Sequence, residues 1–255
     1  MTEHRILVIR TPSGLSGDMI VSGLASLAGI DVKMFSSLTN SINAAELEGR
    51  STIIEHSINN ISGYRLQMDL PKEHSHRSWR EISDIINSSS MQEGAKEIAI
   101  NAFHLLAMAE SQVHSIDPDK VTFHEVGALD SIFDICMAAI LLDEIKPNSI
   151  ICSPLPLGDG EVHCDHGVLM TPAPAVQELL SGVPVYGIDA GVETVTPTAL
   201  AILKGVKVQF GLWPEMTIDR MVRAYGNRIV PNVPNGAIFA VGTKSVENNG
   251  HINSV

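Results

Sequence analysis

RILVIRTPSGLSGDMI, residues 5–20, sets the architecture in one short run. The apolar residues Ile6 to Ile9 have the length and composition of a buried strand. TPSGLSGDM is a cluster of turn formers, and from it Met19, Ile20, Leu24 and Leu27 recur at helical spacing. A strand, a glycine loop and a helix in that order place the chain among proteins whose helices pack on a sheet.

The same alternation continues outward. STIIEHSINNISGYRLQMDL holds two β-prone runs around Asn59-Asn60 and Ser62-Gly63, a hairpin pattern. Residues 77–89 and 92–114 carry helical periodicity, the second with Ile98, Ala102, Leu105, Leu106 and Ala109 on one face and an end near Asp117-Pro118. VTFHEV predicts a strand and 130–145 a helix. SIICSPLPLG is strand-like until its prolines, and EVHCDHGVLMTPAP is loop or extended chain. Ala175 to Leu180 predicts a short helix, VPVYGID a strand, and PTALAILKG a helix closed by Gly205. The expectation is an α/β or α+β fold, a mixed β-sheet with helices packed on it. It forms one domain over residues 1–242, or two subdomains of about 1–70 and 71–242, before a polar tail at 243–255.

At 255 residues with 44% hydrophobic content the chain can bury a sizeable core. With 17 basic against 29 acidic residues the net charge is −12, which disfavours nucleic acid as a partner. Cys136, Cys152 and Cys164 form no C-x-x-C pair or disulfide ladder, so a reducing, cytoplasmic setting is expected. No export signal is visible, and IFDICMAAILLDEI is too short and too acidic to span a bilayer.

Four groups of residues carry candidate chemistry. In the glycine loop, Gly14, Ser16, Gly17 and Asp18 lie where free amides at a helix start favour an anion, although the segment matches neither the P-loop nor the dinucleotide motif. A tight turn with Ser16 or Asp18 as cap explains the same residues. In VTFHEVGALDSIFDI, residues 121–135, His124, Glu125, Asp130 and Asp134 could share a divalent ion, with helix capping as the other role for Asp130. Asp134 sits in a helix apolar nearly all round, so its charge needs a cation, a metal or donated hydrogen bonds. His74 and His76, together with His163, Cys164, Asp165 and His166, offer nitrogen, sulfur and oxygen donors suited to nickel or zinc, although the first two could equally be solvated loop residues. His104 and His114 are packing or surface residues. Thr196 and Thr198 around Pro197 could donate to a phosphate or carboxylate, while a helix cap also accounts for them.

Taken together, SGLSGDM at 13–19, HSHRSWREISDII at 74–86, FHEVGALDSIFDI at 123–135, SPLPLGDGEVHCDHG at 153–167, PAPAVQELLSGVPV at 172–185 and ETVTPTALAIL at 193–203 resemble the LarC family, nickel insertion proteins for the nickel-pincer cofactor of lactate racemase. The likeness runs to about residue 240. It implies a nickel chelatase of the lyase class that inserts nickel into pyridinium-3,5-bisthiocarboxylic acid mononucleotide, a ligand with sulfur donors and one phosphate. In that family the reaction depends on CTP with Mn or Mg, bound largely by a C-terminal domain before which this chain is expected to end. A separate C-terminal LarC domain or a homo-oligomer is then the expected partner.

On this resemblance His74 and His76 collect nickel and pass it to His124, Glu125, Asp130 and Asp134, with His166 and Cys164 brought near. The ligand phosphate rests on Ser13, Gly14, Ser16, Gly17 and Asp18, aided by Thr196 or Thr198. Three departures stand out. Arg10 replaces a usual acid and would favour phosphate over metal, Ala199 removes the glycine of TPTG, and the usual histidine run is thinned to His74 and His76. Two other classes fit the residues: a non-catalytic nickel or pincer-cofactor binding subunit, and a metal-dependent phosphohydrolase.

Overall fold

The apolar run Ile6 to Ile9 is buried on both of its faces, which fixes it inside a sheet rather than at an edge. The fold is that of a computed structural model describing residues 2–70, 76–124, 126–164, 167–230 and 233–246. The first half contains β1 (Thr2–Arg10), α1 (Gly17–Ala28), α2 (Val32–Asn40), β2 (Ser51–Ile58), β3 (Ile61–Met68), β4 (Arg77–Ser78), α3 (Trp79–Ser88), α4 (Glu93–His114) and β5 (Thr122–Phe123). The second contains α5 (Leu129–Ile145), β6 (Ser149–Cys152), β7 (Leu155–Cys164), β8 (Gly167–Met170), α6 (Pro174–Leu179), β9 (Val185–Gly191), α7 (Pro197–Gly205), β10 (Gln209–Phe210), β11 (Thr217–Tyr225) and β12 (Ala237–Val246).

Seven strands make the main sheet in the order β10-β6-β1-β12-β11-β3-β2. β1 pairs in parallel with β6 and antiparallel with β12, from Thr2↔Val246 to Arg10↔Ile238. The sheet is therefore mixed, as expected. Leu7 and Ile9 face the helices, whereas Ile6 and Val8 join Ala240 in a small cluster on the opposite side. A second sheet, β8-β7-β9, stands apart from the first, and β4 pairs with β5.

The helical layer is built around α5, which is mostly apolar and buried from Ile132 to Leu142, with exposed acids only near its two ends. α1 and α4 both pack on it, and α7 packs on α4. α4 presents Ala95, Ala99, Ala102, Ala107 and Ala109 to this interior, small residues that let backbones approach. α1 ends at Gly29, whose φ of 72° lets its amide reach the carbonyls of Ala25 and Ser26. No described helix is long and apolar enough to cross a membrane.

The β2–β3 hairpin forms as the sequence predicts, with Asn59 and Asn60 both at positive φ in its turn. Other expectations need correction. VTFHEV yields only the two-residue β5. The prolines after Cys152 do not end extended structure, because Pro156 lies in β7 and pairs with Tyr186; the stretch beyond takes its extended alternative, Glu161–Cys164 pairing with Gly167–Met170. Gly205 is the last residue of α7, and the positive φ falls instead on Lys207. Its bare backbone lies close to Ala102 of α4, so that an added Cβ would stand 3.3 Å from the Ala102 nitrogen. β11 and β12 have no counterpart in the sequence reading.

Gly23 marks where α1 meets the sheet, since a Cβ there would lie 2.4 Å from the buried Phe239 ring. Alanine gains about 1 kcal/mol of helix propensity, but overpacking against an immobile ring costs about 1–3 kcal/mol. Gly23→Ala is expected to lower stability by up to about 2 kcal/mol, read from the urea midpoint at unchanged slope.

Candidate functional site

The glycine loop owes its path to Gly14, whose φ is 125° and where a Cβ would sit 2.0 Å from the Thr194 carbonyl oxygen. No L side chain fits there. Leu15 then donates to the Thr194 carbonyl at 2.9 Å and accepts from the Thr196 amide at 3.1 Å, so residues 13–16 are clamped to residues 194–196. Thr194 is itself anchored on β7, its hydroxyl donating to Pro156 at 2.7 Å and accepting from the Gly158 amide at 3.0 Å. The end of β11 approaches from the other side, with Gly226 beside Met19 and Ser16.

These contacts leave a cleft of about 500 Å³. Ser13, Gly14, Ser16, Gly17 and Asp18 line it together with Asp130, Asp134, Thr196 and Thr198. The starts of α1, α5 and α7 thus converge on one space, and helix starts attract anions. Thr196 caps α7, its hydroxyl accepting from the Ala199 amide at 3.3 Å and lying 2.9 Å from the Thr198 hydroxyl. Ser16 occupies the cap position of α1 but makes no side-chain cap bond, donating its hydroxyl to Asp18 instead.

The carboxylates differ from one another. Asp18 is buried, accepting from the Met19 amide at 2.9 Å and from Asn227 Nδ2 at 2.9 Å besides Ser16. Burial pushes its pKa up, against the pull of these donors. Asp130 is exposed in the first turn of α5, where it accepts from the Ser131 amide at 2.7 Å; the cap position belongs to Ala128. Asp134, one turn on, is 8% exposed, and its Oδ1 meets no hydrogen-bond donor among the described residues. Burial, then the charges of Asp18 and Asp130, hold its pKa well above the usual carboxylate range. Its Oδ2 lies 2.4 Å from where a Gly17 Cβ would stand, at the crossing of α1 and α5.

His124 is not a lining residue of this cleft, although Val126, two positions on, is. The β4–β5 pairing, with Arg77 opposite Phe123, brings His76 beside His124, their ring centroids 5.1 Å apart and edge to face. His114 of α4 lies 5.6 Å from the His124 ring and within 3.3 Å of Glu110. His104 packs against Trp79. His74, Glu125, Asp165 and His166, and the side chains of His163 and Cys164, lie outside the described residues. Among those described, no three His, Cys, Asp or Glu side chains converge as a metal-binding group. Cys136 and Cys152 are buried, and desolvation lifts both thiols to about 12, which keeps them unreactive.

Arg10 turns to the opposite face of the sheet, donating to the Gly211 carbonyl at 2.5 Å and lying 4.9 Å above the Trp213 ring. It supplies no charge to the cleft, contrary to the sequence expectation, because alternation along β1 points Ile9 at the helices and Arg10 away. The charged and polar residues that do reach the cleft from the β11–β12 loop, Asn227, Arg228 and Asn235, were missed. Asn235 holds that loop shut through bonds to Val230 at 2.9 Å and Val233 at 3.1 Å. A signal existed in the turn-rich run YGNRIVPNVPNG, residues 225–236.

An uncompensated buried charge is destabilising, so Asp134→Asn should raise stability at neutral pH by about 1–3 kcal/mol. The native carboxyl has a raised pKa, so its penalty is absent below the unfolded-state value and grows as pH rises through the folded-state value. Thermal melts across that range should show the variant's advantage vanish in acid.

A family model described as nickel insertion protein matches residues 7–253. The pyridinium-3,5-bisthiocarboxylic acid mononucleotide nickel insertion protein of Geobacillus kaustophilus is 35% identical over 257 residues, covering 94% of this chain and 60% of the relative. Its namesake in Acetivibrio thermocellus is 38% identical over 236 residues, 88% of this chain and 57% of the relative. A third, from a Nocardioides species, is 33% identical over 231 residues, 90% of this chain and 58% of the relative. The chain thus spans less than two thirds of the length of these relatives. No solved structure matches it. Motifs spread along nearly the whole sequence and a family match of the same extent give one answer: the chain belongs to the nickel insertion protein family.

Proposed function

We propose that this chain takes part in inserting nickel into pyridinium-3,5-bisthiocarboxylic acid mononucleotide, the substrate named for its relatives. The observation that carries this reading is the convergence of three helix starts on one cleft of about 500 Å³. That volume is in the range of small-molecule sites, and helix starts suit a phosphate. The mononucleotide phosphate then lies against Ser13, Gly14, Ser16, Gly17 and Thr198, with Arg228 as its cation.

Nickel enters as the second substrate. His76 and His124 are the described imidazoles placed to receive it, with His74, Glu125, Cys164 and His166 proposed as their companions. Imidazole and carboxylate bind nickel less softly than thiocarboxylate sulfur does. Transfer from the protein to the ligand is therefore downhill once the sulfurs are in reach. CTP with Mn or Mg is assigned to a CTP-binding domain of the LarC kind, with which the described residues would work.

Incubating the purified chain with nickel and the pincer ligand, with and without CTP and a CTP-binding domain from a relative, tests this by nickel retained on the ligand. Transfer in no condition would sink the enzyme reading, binding without transfer would make the chain a carrier, and phosphate release from a simple ester would favour a hydrolase. His124→Ala should weaken nickel binding about tenfold or more. Arg228→Ala should raise the Kd for the pincer ligand about tenfold, as expected for loss of one charged hydrogen bond.

A further inference from the structure

Asp18 and Asp134 both line the cleft near the start of α1, and Asp134 keeps a buried oxygen that no described donor fills. A carboxylate offers about four lone-pair positions. Asp18 fills three of them, with the Ser16 hydroxyl and Met19 amide on Oδ1 and Asn227 on Oδ2. Asp134 Oδ1 fills none, although it is buried. Among the described residues no Lys or Arg is hydrogen-bonded to Asp18 or to Asp134 Oδ1, although Arg228 lines the same cleft. Two buried acids of like charge, one of them with a bare oxygen, form an arrangement that a positive ion would complete.

We propose that Asp18 and Asp134 hold a hard divalent cation, Mg²⁺ or Mn²⁺, and that this ion meets a phosphate seated at the starts of α1, α5 and α7. The donors are all oxygen, which suits a hard ion and sets this place apart from the imidazoles of His76 and His124. Mg²⁺ is typically held by one or two carboxylates, with water and a substrate phosphate completing its octahedron. Two carboxylates are what the cleft provides in its buried wall, and the helix starts lie on the same space. The ion would neutralise the acids that otherwise repel an anion from this cleft. The phosphate half rests on the cleft's being the ligand site proposed above, while the cation half stands on the two carboxylates alone.

The test is an Mn²⁺ titration of the purified chain followed by the electron paramagnetic resonance signal of free Mn²⁺, with and without inorganic phosphate. One Mn²⁺ per chain should bind, Mg²⁺ should displace it, and phosphate should tighten it several-fold, as linkage requires of a shared ion. Asp134→Asn and Asp18→Asn should each weaken Mn²⁺ at least about tenfold while circular dichroism shows the fold intact. His124→Ala should leave the titration unchanged, so that failure of nickel transfer and failure of this site are read separately. Absence of Mn²⁺ binding would overturn the proposal, the two acids then sharing a proton instead. Parent-like affinity in both aspartate variants, or loss of Mn²⁺ in His124→Ala, would overturn it too, and indifference to phosphate would remove the bridging half.

Discussion

The closeness of α1 to α5 depends on Gly17 having no side chain. A Cβ at that position would stand 2.4 Å from the Asp134 carboxylate, so any other residue would push the two helices apart. Gly14 imposes the same kind of constraint one turn earlier, where the Thr194 carbonyl occupies the place of a Cβ. Between them these bare backbones bring residues 13–18, 130–134 and 194–198 to one space. Those segments are far apart in the chain, and no local rule would join them.

Two electrostatic effects oppose each other in the cleft, and their sizes decide its character. A helix start offers about 0.3–1 kcal/mol to an anion. A buried, uncompensated carboxylate costs several kcal/mol. Three helix starts consequently do not neutralise Asp18 and Asp134. On the cation proposed above, the cleft would take a positive ion beside these acids and a phosphate between that ion and Arg228. Asp134 carries that cost in a helix whose neighbouring residues are mostly apolar and buried.

The sheet contributes position. β12 returns to pair with β1 along its whole length, so the β11–β12 loop is delivered to the same end as the glycine loop. Gly226, with Met19 and Ser16 close by, permits that approach, and the Asn235 side chain closes the loop upon itself. Asn227 and Arg228 reach the cleft on this account. Tyr225, buried at the end of β11, ties that strand to β3 by donating to the Ile61 carbonyl at 2.8 Å.

The sequence by itself determined most of the elements, because their signals are local: the apolar run at Ile6 to Ile9, the Asn59-Asn60 turn, the helical periods after Met19 and Asp130, and the Thr196-Pro197 cap. It also singled out Asp134, since an acid in an all-apolar helix is anomalous wherever that helix lies. It left β11 and β12 unseen, as their residues alternate weakly and are held by partners at the other end of the chain. The direction of Arg10 was decided by which face of β1 meets the helices, and the place of His124 beside His76, off the lining of the cleft, by the pairing of β4 with β5. Only tertiary structure could decide which acids share a cleft, because that depends on where helices cross and on the absence of side chains at Gly14 and Gly17, and a glycine's missing atoms acquire meaning only from the neighbour that fills their place.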